Sequence, residues 1–332
     1  MILMLNVALL HKQEKNIMKN VWLIGAGPMA MDYTKVLQNL DVNFTVVGRG
    51  KESALKIKQQ FGVEPVLGGL ESFLDTNPEP CSHAIVAVGV ELLFDLVSKL
   101  MDYGVKNILV EKPGALNKDE IFSLESKSKN LGVNLLIAYN RRFYASVEKA
   151  KEIIENDGGV TSFNFEFTEW SHKIAPLSKG DGVKEKWFLA NSTHVVDLAF
   201  YLGGKPIELS CFTNGCLDWH PTASNFSGAG ITDAGALFNY QANWESAGRW
   251  SLEILTKEHR LIFTPIEKLQ VQKRGSILQE FDESIDYDID DRFKPGLFKQ
   301  VLKFINNDFS DMCDISEQSK AMNCYYKMAN YS

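Results

Sequence analysis

The sequence predicts a two-part protein: an α/β domain built on a doubly wound parallel sheet, followed by an α+β domain whose sheet is mostly antiparallel. Three observations predict it. Strand-length apolar runs alternate with helix-period segments from Val21 to Ala138, the pattern of successive βαβ units. A glycine-rich turn, Gly25-Ala26-Gly27-Pro28-Met29-Ala30, separates the first such run from the first helical pattern. After Tyr144 the texture changes to strict alternation, with Phe163, Phe165 and Phe167 interleaved with Asn164, Glu166 and Thr168, as in a strand with one face covered.

Val21–Ile24 has the length of a strand and ends abruptly in the turn, beyond which Met29, Tyr33, Val36, Leu37 and Leu40 recur at helical spacing. The turn reads G-x-G-x-x-A. Gly25 can make the tight bend, Gly27 lets the backbone approach a pyrophosphate, and Ala30 lets the helix pack close to the strand. Ala26, Pro28 and Met29 complete a cradle in which the N–H groups of the helix N-terminus face the phosphates. A purely structural turn is the competing reading; the strand–turn–helix setting favours a nucleotide.

Asn43–Val47 is a second strand, ending in Gly48-Arg49-Gly50-Lys51. A dinucleotide domain normally carries an acid about 20 residues past the glycine turn, where it binds the ribose 2′-hydroxyl. Arg49 occupies that strand end, and no carboxylate precedes Glu52. A guanidinium pairs with a 2′-phosphate and stacks on adenine, so NADP is favoured over NAD; a solvated surface arginine is the alternative.

The remaining elements follow in order. Ser53–Phe61 is a helix, Glu64–Leu67 a short strand and Leu70–Leu74 one helical turn ahead of Pro78 and Pro80. Ala84–Val88 is a continuous apolar run, as expected of a strand buried on both faces. Helix Leu92–Met101, strand Asn107–Val110, helix Lys118–Lys129 and strand Asn134–Ala138 complete the parallel domain, assigned to residues 18–140. Residues 141–332 form the second domain, entered by a helix bearing Val147, Ala150, Ile153 and Ile154 and ending at Gly158-Gly159. Tyr240 and Ala242, then Trp250, Leu252 and Ile254 beyond a turn at Glu245–Gly248, mark further alternating strands. His259–Phe263 and Leu269–Gln272 are two more, and a helix carrying Leu297, Val301, Leu302 and Ile305 closes the domain. Residues 1–17 stand apart. Their apolar start, MILMLNVALL, has no positive n-region or small-residue cleavage site and is too short to span a bilayer, so it reads as an extension outside the fold.

At 332 residues there is room for two domains, and 45% apolar with 23% charged residues is ordinary for a soluble globular protein. A net charge of −7 with no offsetting basic stretch argues against nucleic-acid and anionic-membrane partners. The five cysteines are odd in number and scattered, without a C-x-x-C pair or a histidine at zinc-ligand spacing, which predicts a reducing, cytoplasmic setting and no metal.

Two constellations carry chemistry. Glu111-Lys112-Pro113 stands at the carboxyl end of the fifth expected strand, where an open α/β sheet binds its ligand. Lys112 there can bond a substrate oxygen and give or take its proton, helped by a pKa lowered through burial; a loop lysine is the alternative. The Lys112–Pro113 bond is a place for a cis peptide. Asn191-Ser192-Thr193-His194-Val195-Val196-Asp197 opens a helix, with Asn191 or Ser192 as N-cap. His194 in the first turn faces the positive end of the dipole, which favours neutral imidazole able to accept a proton; a helix-start histidine bonded to backbone is the alternative.

Together these features resemble the glucose–fructose oxidoreductase/inositol dehydrogenase family (Gfo/Idh/MocA). The resemblance rests on GAGPMA, VEKPGALN around Lys112, YNRRF at Tyr139–Phe143, HVVDLAFYLGG at His194–Gly204 and GLFKQVLKFI at Gly296–Ile305, and it covers nearly the whole chain after Met18. It implies a Rossmann dinucleotide-binding domain followed by an α+β domain with an open, mostly antiparallel sheet. It further implies NAD(P)-dependent hydride transfer at a hydroxyl or keto carbon of a sugar, nucleotide-sugar or cyclitol-like substrate. Lys112 maps to the catalytic lysine and His194 to the family's histidine. Glu111, Arg49 and the turn residues are expected on the cofactor. Tyr139, Arg142, Trp187 and Asn191 are expected near substrate, with Trp170 and His172 as further contacts. A homodimer or homotetramer is expected, because open sheet faces need covering. One departure stands out: many members carry an aspartate four residues before the histidine, and position 190 is Ala190. Asn191 or Asp197 would then have to compensate. Two other classes of function remain compatible with these residues: redox-neutral chemistry with a retained NAD, and a non-catalytic dinucleotide-binding regulator.

Overall fold

The structure, a computed structural model, describes residues 20–332, so the extension expected at residues 1–17 lies outside the described residues. Strands β1 (Asn20–Ile24), β2 (Asn43–Val47), β3 (His83–Val86), β4 (Asn107–Glu111) and β5 (Asn134–Ala138) form a parallel sheet in the order β2-β1-β3-β4-β5. Their registers align Ile24 with both Val47 and Val86, and Glu111 with Ala138, so the carboxyl ends of all five strands open on one edge. Helices α1 (Pro28–Asn39), α2 (Lys51–Phe61), α3 (Gly69–Leu74), α4 (Leu93–Asp102) and α5 (Lys118–Leu131) connect them. Every residue of β3 is buried, which is why His83–Val86 lacks polar alternation. The order reverses between β1 and β3, and at such a switch point an open α/β sheet leaves its ligand crevice.

The short strand expected at Glu64–Leu67 does not form. Val66 makes one isolated bridge to Val47, and Pro65 beside it has no N–H to extend a ladder. Gly68 and Gly69, at φ 99° and 81°, then turn the chain into α3.

A turn at Asn140–Phe143 leads into α6 (Ala145–Asn156) and then β6 (Ser162–Glu166). Short helix α7 (Ser171–Ile174) and helix α8 (Thr193–Gly203) follow, before strands β7 (Pro206–Asn214), β8 (Asn225–Thr232), β9 (Leu237–Asn243), β10 (Ser251–Leu255), β11 (His259–Phe263), β12 (Gln270–Lys273) and β13 (Glu280–Phe281). The second sheet runs β13-β12-β11-β10-β6-β9-β8-β7. All its pairings are antiparallel except β6 with β9. The alternating phenylalanines form its covered face: Phe163 stacks on Phe238 at 5.4 Å and Phe165 on Tyr240 at 5.5 Å. Phe200 of α8 meets Phe163, Phe165 and Phe238 edge-on. Gly203 ends that helix against the Phe163 ring, where a Cβ would collide with it.

Three elements close the chain after α9 (Asp288–Arg292): α10 (Leu297–Ile305), strand β14 (Cys313–Asp314) and α11 (Ile315–Ala329). The chain therefore does not end with α10, as the sequence pattern suggested. β14 adds to the edge of the first sheet, antiparallel to β5. Asp314 caps α11 by accepting from the Glu317 N–H at 2.7 Å. No helix among the described residues is long and apolar enough to cross a membrane.

Candidate active site

The glycine turn is built as its sequence requires. Gly25 has φ 128°, and a Cβ there would strike the Ala87 carbonyl at the end of β3, so the bend tolerates no side chain. Gly27, by contrast, faces open space, with nothing within 4 Å of a built Cβ. Helix α1 starts at once with Pro28 in its first turn and no side-chain cap, leaving its first N–H groups free for an anion. Ala26 packs against Gly48, where a Cβ would approach the Ala26 methyl to 2.9 Å. Arg49 projects from the carboxyl end of β2, exposed. A cradle over a helix N-terminus, flanked by an exposed guanidinium, fits a dinucleotide. Glu111, expected on the cofactor, accepts a hydrogen bond from Tyr33 of α1 at 2.8 Å. Burial raises its carboxyl pKa, opposed by that bond and by the Lys112, Lys294 and Arg141 charges.

Lys112 follows β4 on the same edge, and its bond to Pro113 is cis. Its ammonium donates to the Ala190 carbonyl. Burial, reinforced by the Arg141 and Lys294 charges and opposed by Glu111 and Glu169, pushes its pKa down to about 8. His194 sits in the first turn of α8, as expected. Burial, and then the charges of Arg141, Lys112 and Lys294, hold it well below the ordinary histidine range, so the ring is neutral at pH 7. Its Nδ1 is buried with no hydrogen-bond partner among the described residues. The ring lies edge-on to Tyr139 at 6.2 Å and 6.1 Å from Trp250. The N-cap expected from Asn191 or Ser192 is absent, because a wide π-helical turn, Phe188–Ser192, runs directly into α8. Both side chains instead donate to Glu169, each at 2.8 Å.

The other expected contacts separate by environment. Tyr139 is buried, and its hydroxyl donates to Gln318 of α11 at 3.1 Å; Gln318 in turn donates to the Pro113 carbonyl at 3.0 Å. Arg142 turns its guanidinium onto Asp197 of α8, at 2.8 and 2.5 Å, and onto Glu317 of α11 at 3.0 Å, so its donors serve the packing of three elements. Trp187 is buried edge-on to Trp219 at 6.1 Å. Trp170 is nearly half exposed and bonds the Gly248 carbonyl; His172 is exposed on α7.

Several site residues escaped the sequence reading. Arg141 is the foremost. It repels both Lys112 and His194 and lies 4.8 Å over the Trp250 ring. It makes no ion pair or side-chain hydrogen bond among the described residues, and its Nε is buried without a partner. Its doublet with Arg142 gave no sign of which arginine pairs with Asp197 and which lies over Trp250. Glu169, Arg249 and Gln318 come from distant segments with no motif. Among the described residues no group of three or more His, Cys, Asp or Glu is placed to hold a metal.

Comparison with known proteins bears on the fold that carries these residues. Residues 19–139 match the family described as oxidoreductase family, NAD-binding Rossmann fold (GFO_IDH_MocA). The chain is 24% identical over 203 residues to the glucose-6-phosphate 3-dehydrogenase of Bacillus subtilis (strain 168), a match covering 56% of this chain and 54% of that protein, so the chain spans about half the length of this curated relative. Its fold is shared with a levoglucosan dehydrogenase solved with NADH and L-sorbose, at TM-score 0.74 and 19% identity over 94% of this chain and 96% of that one. It is also shared with the UDP-N-acetylglucosamine 3-dehydrogenase of Acidithiobacillus ferrooxidans, at TM-score 0.72 and 13% identity over 93% and 96%. The family match spans residues 19–139, the parallel-sheet domain that carries the glycine turn and Lys112.

Proposed function

We propose that the chain is an NAD(P)-dependent oxidoreductase acting on a hydroxyl or keto carbon of a sugar, nucleotide-sugar or cyclitol-like substrate. The observation that carries this reading is Lys112, a lysine with its pKa near 8 on the ligand edge of the sheet, beside a neutral His194. Gly25, Ala26, Gly27, Pro28 and Met29 would hold the pyrophosphate, with Arg49 at the adenosine end. Bound there, the nicotinamide accepts or supplies hydride. In substrate oxidation, neutral Lys112 takes the hydroxyl proton; in reduction, its ammonium donates one to the carbonyl oxygen. His194, unable to carry charge at neutral pH, acts beside it as a hydrogen-bond partner for the same oxygen.

Arg141 is the substrate-facing cation. A partly buried guanidinium without a protein acceptor is costly unless a ligand supplies one, and a sugar hydroxyl, carboxylate or phosphate would. Arg49 favours NADPH, since it is exposed and makes no ion pair or side-chain hydrogen bond among the described residues. A second copy of the chain covers the open face of the second sheet.

The test is a screen of sugars, sugar phosphates, uronates and cyclitols with NADP and NAD, following absorbance of the reduced cofactor. A substrate turned over by the protein and not by Lys112→Ala is the expected result. Turnover of substrate without net change in cofactor would replace this reading with redox-neutral chemistry.

A further inference from the structure

Position 190 carries a methyl group where a carboxylate would complete the family pattern. The structure nevertheless brings a carboxylate to the same strap of chain. Glu169 follows β6, is 1% exposed, and is held by three donors. Its Oε1 accepts from Asn191 Nδ2 and Ser192 Oγ, both at 2.8 Å, and its Oε2 from Arg249 at 3.3 Å. Ala190, the residue before Asn191, gives its carbonyl to Lys112. Carboxylate, strap and lysine thus form one continuous run of contacts. The two substitutes available on the helix itself do not serve. Asp197 commits both oxygens to Arg142, and Asn191 has no charge.

We propose that Glu169 is the positioning residue for Lys112: it pins the Ala190–Ser192 strap that orients the ammonium, and it supplies the negative charge that position 190 lacks. This rests on the reading of Lys112 as the proton-transfer group. A carbonyl is a dipole; it can aim an ammonium but gives little of the charge that a desolvated cation needs. Around Lys112, Arg141 and Lys294 oppose the charged form, His194 is neutral, and Glu111 and Glu169 favour it. Glu111 has the larger effect of the two but sits on β4 with Tyr33; Glu169 is the acid tied to the strap that Lys112 touches.

The test needs no substrate. The midpoint of Lys112 acetylation by acetic anhydride against pH, read by peptide mass spectrometry on the full chain, reports its pKa directly. The unmodified protein should titrate near 8. Glu169→Gln preserves shape and an acceptor but removes the charge, and should lower the midpoint by roughly half to one pH unit. Ser192→Ala removes a donor that holds Glu169 Oε1 without adding or deleting a charge, so it should shift the midpoint downward as well; it decides the matter if Glu169→Gln fails to fold. Once a substrate is known, Glu169→Gln should cut kcat by roughly 10-fold with KM little changed, less than a group that transfers the proton itself. An unmoved midpoint in the folded variant overturns the proposal. Full turnover by Lys112→Ala would overturn the proton-transfer reading instead, and the labelling midpoints would still judge Glu169.

Discussion

With Lys112 as the proposed proton carrier, the activity should depend on pH, with a sign set by the direction of reaction. Its pKa is lowered to about 8, chiefly by burial. Oxidation needs the free amine, so its rate should be full above that value and fall as pH drops through it. Reduction needs the ammonium, so its rate should fall as pH rises through the same value. Paired pH–rate profiles check this; identical profiles in both directions would exclude Lys112 as the proton carrier. Lys112→Ala should lower turnover by about 10²–10⁴-fold while dinucleotide affinity stays nearly unchanged, because the proposed pyrophosphate cradle is the glycine turn and the α1 N-terminus. Arg49 is proposed for the other end of the cofactor. Arg49→Asp should cost NADPH about 1.5–3 kcal/mol and reverse the preference for it, which fluorescence titration would show; equal affinities for NADPH and NADH in the unmodified protein would remove that role. At this scale the sequence was informative about placement: Lys112 does follow a strand end and His194 does open a helix. It was silent on Glu169, which meets Ser192 only after β6 and α8 have packed.

Elements are joined through Arg142, which the sequence reading expected near substrate. Arg142 precedes α6, Asp197 lies within α8 and Glu317 in α11, and their buried ion pairs tie the three together. Removing one partner leaves a charge buried and unpaired, so Asp197→Asn should lose about 3–5 kcal/mol in urea unfolding. Arg141→Gln should leave stability nearly untouched and raise KM, and this contrast separates the two neighbouring arginines by experiment. The elements missed in the sequence share a physical cause. In β8, Gly228 and Gly230 look like turn residues, yet each makes room for a ring, Tyr240 and Phe238 respectively, that a Cβ would strike. In α11 the buried stripe includes Gln318 and Ser319 beside Ile315 and Met322, which blurs the apolar period. Gln318 is polar there because it bonds both Tyr139 and the Pro113 carbonyl. The parallel sheet was legible because burial on both faces writes continuous apolar runs such as Ala84–Val86, and no polar function interrupts them.

On the scale of the molecule, the sheet that was hardest to read also carries the surface with an unmet need. Its covered face is sealed by α8 and the phenylalanine stack, while Phe212 of β7 and Leu237 of β9 stand on the strands 70% and 61% exposed. Ile207 at the start of β7 is 66% exposed. Large side chains left in water on the two strands that flank β8 mark a contact surface more often than scattered exposure does, and a stable interface buries about 1,600 Å² in total. The sheet edge alone would invite open-ended pairing; face-to-face contact between two copies is isologous and closes at two. Light scattering after size exclusion should therefore give a mass twice that of the 37.3 kDa chain, or a higher even multiple. Phe212→Lys with Leu237→Lys places like charges opposite one another across a two-fold axis and should return the chain to its single mass at micromolar concentration. The substitutions lie outside both hydrophobic cores, so the melting transition of the isolated subunit should survive them. A single-chain mass for the unmodified protein at the same concentration would leave these residues as ordinary exposed surface and remove the second copy from the proposed assembly.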